Sequence, residues 1–141
     1  MGFELSKERV SVDAKEKGVW KSNPRWSGVK FKIGHSGTGA RKRALSELMG
    51  DLRDKGIQPT DEEIAATMSR YVADNILLDW SGDITDNGQP IPFNTDNAYQ
   101  VLLAAEPLRD WVIQVSDNLD NYLEKKVEEV EGNSEPASPG V

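Results

Sequence analysis

The chain has no cysteine and a single histidine, His35. The first absence excludes disulfides, thiolate metal sites and a cysteine nucleophile. The second excludes any multi-histidine metal centre. Aromatic residues are few, with 3 Phe, 3 Tyr and 4 Trp in 141 residues, which implies a small core under a heavily solvated surface. No window approaches the roughly 18 uninterrupted apolar residues that a bilayer crossing needs, and no basic start leads into an apolar run as in a secretion signal. A soluble, intracellular protein is the expectation.

What is present is charge, unevenly placed. The formal net charge is −7, but residues 1–55 hold 13 Lys and Arg against 7 Asp and Glu, whereas residues 56–141 hold 4 against 17. Halves of opposite sign attract each other or recruit different partners. A length of 141 residues suits one domain with a real core.

The local patterns divide that length. Residues 1–16 show no sustained period and read as a mobile N-terminal arm. Val29, Phe31 and Ile33 alternate with Lys30 and Lys32, which predicts a hairpin over about 17–35 with its lysines on one face. Ala44, Leu45, Leu48, Met49 and Leu52 predict a helix over about 40–54 that ends at Gly56. Thr60 followed by Glu63 is a capping-box signature, and Ile64, Met68, Val72, Ile76 and Trp80 extend a stripe that predicts a helix over 60–80. Asn87-Gly88 predicts a β-like turn, and Pro90 and Pro92 hold the segment after it extended, so that Ile84, Ile91 and Phe93 fold down on the helices. Asn94 or Thr95 caps a helix over 95–105, and Pro107 opens another over 107–130. The acidic, Gly- and Pro-containing residues 132–141 read as a disordered tail. The expected fold is therefore mainly α, of the α+β kind. It is one α-rich domain over 17–131, a compact bundle of about four helices with a small N-terminal β-hairpin and a β-like turn between helices two and three.

Few of these residues can carry chemistry, and no catalytic, cofactor-binding or metal-binding residue is assigned. Asp83, Thr85, Asn87 and Gly88 follow the opening of a calcium-binding loop, but its twelfth position falls on Asn94 rather than glutamate, and Pro90 and Pro92 interrupt the curl. The Gly34–Arg43 stretch exposes glycine backbone before a basic helix start, without the Gly-Lys-Ser/Thr of a nucleotide loop. Lys30, Lys32, Arg41, Lys42 and Arg43 make a candidate basic face, although the acidic half of the chain opposes nucleic acid as a partner. His35 beside Ser36 has no second histidine to relay protons and reads as a surface residue. Apolar residues surplus to a small core mark a binding surface instead, and the candidates are Trp80, Ile91, Phe93, Leu103, Leu108 and Trp111. This composition favours a binding module over an enzyme.

The order of these pieces resembles a known family. Ile76-Leu77-Leu78-Asp79-Trp80 leads into the acidic turn Ser81-Gly82-Asp83-Ile84-Thr85-Asp86-Asn87-Gly88 and then Gln89-Pro90-Ile91-Pro92-Phe93. A capped Asn94-Thr95-Asp96-Asn97-Ala98, Leu102-Leu103 and Leu108-Arg109-Asp110-Trp111-Val112-Ile113-Gln114-Val115-Ser116 come next. Together with Phe31-Lys32-Ile33-Gly34-His35-Ser36, the stretch over about 28–124 is similar to the tail assembly chaperones of long-tailed bacteriophages. It departs from them over Gly37–Arg43, which is shorter and richer in glycine. The resemblance implies a non-enzymatic chaperone without cofactors that binds and solubilises the tape-measure protein before the tail tube polymerises. It implies a second partner, the tail tube protein, met through a longer frameshifted form, and a site of action in the host bacterial cytoplasm, with absence from the mature virion. Homo-oligomerisation stays open, and no membrane partner is expected. The alternatives are a structural tail completion or connector protein of the virion and, less favoured, a nucleic-acid-binding adaptor.

Overall fold

The computed structural model describes the backbone of residues 2–134 and the side chains of residues 2–129. In chain order the elements are α1 (Leu5–Glu8), α2 (Val12–Lys17), β1 (Val19–Lys21), β2 (Lys30–Ile33), α3 (Gly39–Arg53), α4 (Asp61–Tyr71), β3 (Leu77–Ser81), β4 (Thr85–Asp86), β5 (Gln89–Pro90), α5 (Thr95–Ala104), α6 (Glu106–Asp117) and α7 (Glu124–Ser134). The fold is mixed α+β, with an antiparallel sheet ordered β1-β2-β3 and a separate β4-β5 hairpin.

Local chemistry starts the helices where the sequence says. The Thr60 hydroxyl accepts from the Glu63 N–H at 3.1 Å while the Glu63 carboxylate accepts from the Thr60 N–H at 2.9 Å, which completes the capping box of α4. The Asn94 side chain accepts from the Asn97 N–H at 2.7 Å and opens α5. Asn87 and Gly88 both take positive φ, 50° and 80°, as the tight β4-β5 turn requires.

Two expected helices end early, and captured carbonyls explain both. The predicted helix over 60–80 stops at Tyr71, passes through a π-turn at Val72–Ile76 and becomes β3. The Asn75 carbonyl accepts from Arg41, and the Ile76 carbonyl accepts from the Gly34 N–H at 2.9 Å, so neither continues the helical ladder. The next residues pair with the open edge of β2, Trp80 opposite Phe31 and Leu77 opposite Ile33, and the hairpin becomes a three-stranded sheet. The predicted helix over 107–130 breaks at Asn118 into α6, a 3₁₀ turn at Leu119–Tyr122, and α7. There the Ser116 carbonyl accepts from the Ser36 N–H at 3.1 Å, and the Asn118 side chain caps the 3₁₀ turn through the Asp120 N–H.

The arm expected to be mobile is docked. Ser11 N–H donates to the Tyr122 carbonyl, Glu124 N–H donates to the Arg9 carbonyl, each at 2.8 Å, and Ala14 is buried. It forms a small second core with Val19 and Tyr122, beside half-buried Val127. The main core joins Phe31 and Ile33 of β2 to Val72, Ile76, Leu102 and Val112. At the other end, α7 continues through residues 132–134 of the expected tail, and residues 135–141 lie outside the described residues.

Candidate functional site

The segment joining β1 to β2 is built as an arch. Asn23 accepts from the Arg25 N–H at 2.9 Å, Pro24 supplies the first position of a 3₁₀ turn, and Trp26 ends it. The arch is held against the far end of β3 by two glycines. Gly82 has φ +98°, and a Cβ there would collide with the Gly28 carbonyl. Held this way, Trp26 meets Phe31 and Trp111 edge-on at centroid distances of 6.4 and 5.8 Å, and Phe31 meets Trp111 at 5.7 Å.

An open groove of about 540 Å³ lies against this triad. Trp26, Val29 and Phe31 line one side, Ile84 lines the acidic turn, and Val101 and Leu108 come from α5 and α6. Polar atoms enter from Arg25, Ser27, Asp83 and Thr85. Such a surface can hold an apolar stripe from another chain.

The six apolar candidates separate into three groups. Leu108 lines the groove, and half-buried Trp111 backs it through the aromatic triad. Trp80, Ile91 and Phe93 instead close a neighbouring part of the core. The Trp80 Nε1–H donates to the Ile91 carbonyl at 3.2 Å, and the Phe93 ring meets Trp80 at 5.0 Å and 90°. Trp80 is buried with its ring committed to these two contacts, and it does not line the groove. Leu103 is half-buried but neither packs on the core cluster nor lines the groove. Sequence reasoning missed Trp26 and Val29 as groove residues. A bulky aromatic inside the polar run Asn23-Pro24-Arg25-Trp26-Ser27-Gly28 was the available signal.

The basic face also divides. Lys30 and Lys32 lie on the side of β2 away from buried Phe31 and Ile33, with Trp20 and Asp79 in register beside Lys32. Lys42 and Arg43 are exposed on α3. Arg41 leaves this set, because its guanidinium is turned inward and half-buried. Nε donates to the Asn75 carbonyl at 2.8 Å, Nη1 to the Lys15 and His35 carbonyls at 2.7 and 3.0 Å, and Nη2 to the Glu16 carbonyl at 2.7 Å. A cation placed among carbonyls is a structural clamp, not a phosphate contact.

His35, expected at the surface, is buried. Its ring stands edge-on to Tyr122 at 5.1 Å, and Nδ1 accepts from the Gly37 N–H at 3.0 Å. Burial, then the charge of Lys15, lowers its pKa. The adjacent Ser36 hydroxyl donates to Asp117 at 2.6 Å rather than to His35. Among the described residues no group of three His, Asp or Glu is placed to hold a metal ion, and no helix is long and apolar enough to cross a membrane.

Residues 36–133 match the model of a family described as YdaY prophage protein. No curated protein and no solved structure matches the chain.

Proposed function

The chain belongs to the YdaY prophage protein family, and from that membership and the open groove we propose a non-enzymatic tail assembly chaperone that binds and solubilises the tape-measure protein before the tail tube polymerises. Phage origin is the established part. The chaperone role is supported by one observation above the others, an apolar groove backed by three aromatic rings and left open to solvent. A tape-measure segment is a long helix with apolar residues on its surface, and a groove of this kind takes an amphipathic helix through residues one turn apart. Many copies along an extended client gain avidity from modest single contacts. In this reading the protein acts in the host bacterial cytoplasm and leaves before the virion matures.

The test is co-expression with tape-measure fragments from the same phage. Soluble complexes that disappear with Val29→Glu, a charge placed on the groove wall, support the reading. Fragments that stay insoluble while the chain elutes alone overturn it. Stoichiometric recovery of the chain in purified particles would favour a tail completion or connector protein instead.

A further inference from the structure

The groove is apolar inside and acidic outside. Asp83 lines it, Glu106 sits between the lining residues Ala105 and Pro107, and Asp110 lies one helical turn beyond Pro107 on α6. All three are exposed, and among the described residues none of them forms an ion pair. Two cations lie nearby. Arg25 also lines the groove, exposed and stacked over the Trp26 ring at 5.7 Å, so it offsets one carboxylate and leaves the edge acidic on balance, whereas Arg109 is turned inward, donating to Ser69 Oγ at 3.3 Å and the Leu102 carbonyl at 3.1 Å.

We propose that the groove selects its occupant by charge, and that the occupant is an amphipathic helix whose apolar stripe is flanked by Lys and Arg. This rests on the groove being the client site. The apolar floor supplies affinity without choosing among helices, while unpaired carboxylates at its edge favour cationic flanks and repel acidic ones. These carboxylates are solvated, so their preference weakens as salt shortens the range of the field.

The probes are three synthetic helical peptides with one shared, tryptophan-free apolar stripe and flanks of Lys, Gln or Glu. Binding is read from the tryptophan emission of the full chain at low and high salt. The Lys-flanked peptide should bind about tenfold tighter than the Glu-flanked one at low salt, with the gap closing at high salt. Replacing the rim carboxylates together (D83N, E106Q, D110N) should close that gap and leave the Gln-flanked peptide unchanged. Replacing three exposed carboxylates on α3 and α4 (E47Q, D51N, E62Q) should leave it open, which separates the rim from the net charge of the chain. Should the triple rim variant fail to fold, D83N alone carries the comparison. Equal binding of the Lys and Glu peptides, or a gap that both sets of substitutions reduce alike, overturns the charge proposal while the groove reading stands. Failure of all three peptides to bind overturns both.

Discussion

Arg41 donates its Nε–H to the carbonyl of Asn75, 34 residues away, at 2.8 Å. The same guanidinium holds the carbonyls of Lys15, Glu16 and His35, so one side chain ties the N-terminal arm, the end of β2 and the π-turn before β3. Arg41→Met removes the guanidinium donor from all four carbonyls, of which Lys15 keeps the His35 N–H, and should destabilise the fold by about 3 kcal/mol. Arg41→Lys should recover only part of this, because an ammonium lacks the planar fork that reaches several acceptors. Urea unfolding measures the loss, and limited trypsin digestion should show faster cleavage at Lys15 and Lys17. Unchanged cleavage there would show that the arm is held without the clamp.

His35 makes the arm sensitive to acid. Lys15, Arg41 and Lys42 disfavour its protonation and Asp117 favours it, while burial is the largest effect and lowers the pKa. The unfolded chain therefore takes up this proton first as pH falls. The stability tied to the neutral ring is complete above about pH 6.5 and is lost as pH drops toward the depressed folded pKa. Between about pH 7.5 and about pH 5.5 the urea midpoint of the wild type should fall further than that of His35→Asn, whose amide oxygen can accept from the Gly37 N–H in place of Nδ1. Equal falls would remove His35 as the source.

These two residues show where sequence reasoning stops. Signals confined to a few neighbouring residues were readable, as in the Thr60 capping box, the Asn94 cap, the Asn87-Gly88 turn and the β2 alternation. Ile76 and Trp80 continue a four-residue stripe, yet their backbone leaves the helix because donors from distant Gly34 and Arg41 take the carbonyls. Leu119 and Tyr122 likewise keep helical spacing across a break that Ser36 and Asn118 impose. The groove was half legible. Leu108 and Trp111 were singled out as surplus apolar residues, but the wall opposite them depends on an arch positioned by Gly28 and Gly82, a contact between residues far apart in the chain.

Tyr122 anchors the second core to the first. Its hydroxyl donates to the Ile33 carbonyl at 3.0 Å in a buried setting, and burial pushes its pKa upward. Tyr122→Phe keeps the ring against His35 and Ala14 but removes this buried hydrogen bond, which should cost about 1 kcal/mol in urea unfolding. A change within error would mean that solvent reaches the carbonyl.

Gly82 is the hinge between arch and acidic turn. Gly82→Ala combines an unfavourable positive φ with a clash against the Gly28 carbonyl, and should destabilise the chain by about 2 kcal/mol or more. The arch should move as the clash is relieved, so Trp26 emission should shift in the folded variant. Gly88→Ala has a comparable φ of 80° but open space around it, and should cost less. Equal losses would show that backbone conformation alone, not the close approach, matters at Gly82.

Trp26 and Leu103 separate the groove from the remaining apolar surface. Both are half-buried, but only Trp26 lines the groove. Trp26→Ala removes a large wall residue and its edge contacts with Phe31 and Trp111, so affinity for a tape-measure fragment should fall about tenfold or more. Leu103→Ala should leave that affinity unchanged, because its side chain faces neither groove nor core cluster. Calorimetric titration of the purified fragment into each folded variant measures both effects. A loss with Leu103→Ala and none with Trp26→Ala would move the client site to the outer side of α5 and leave the groove without a role in capture.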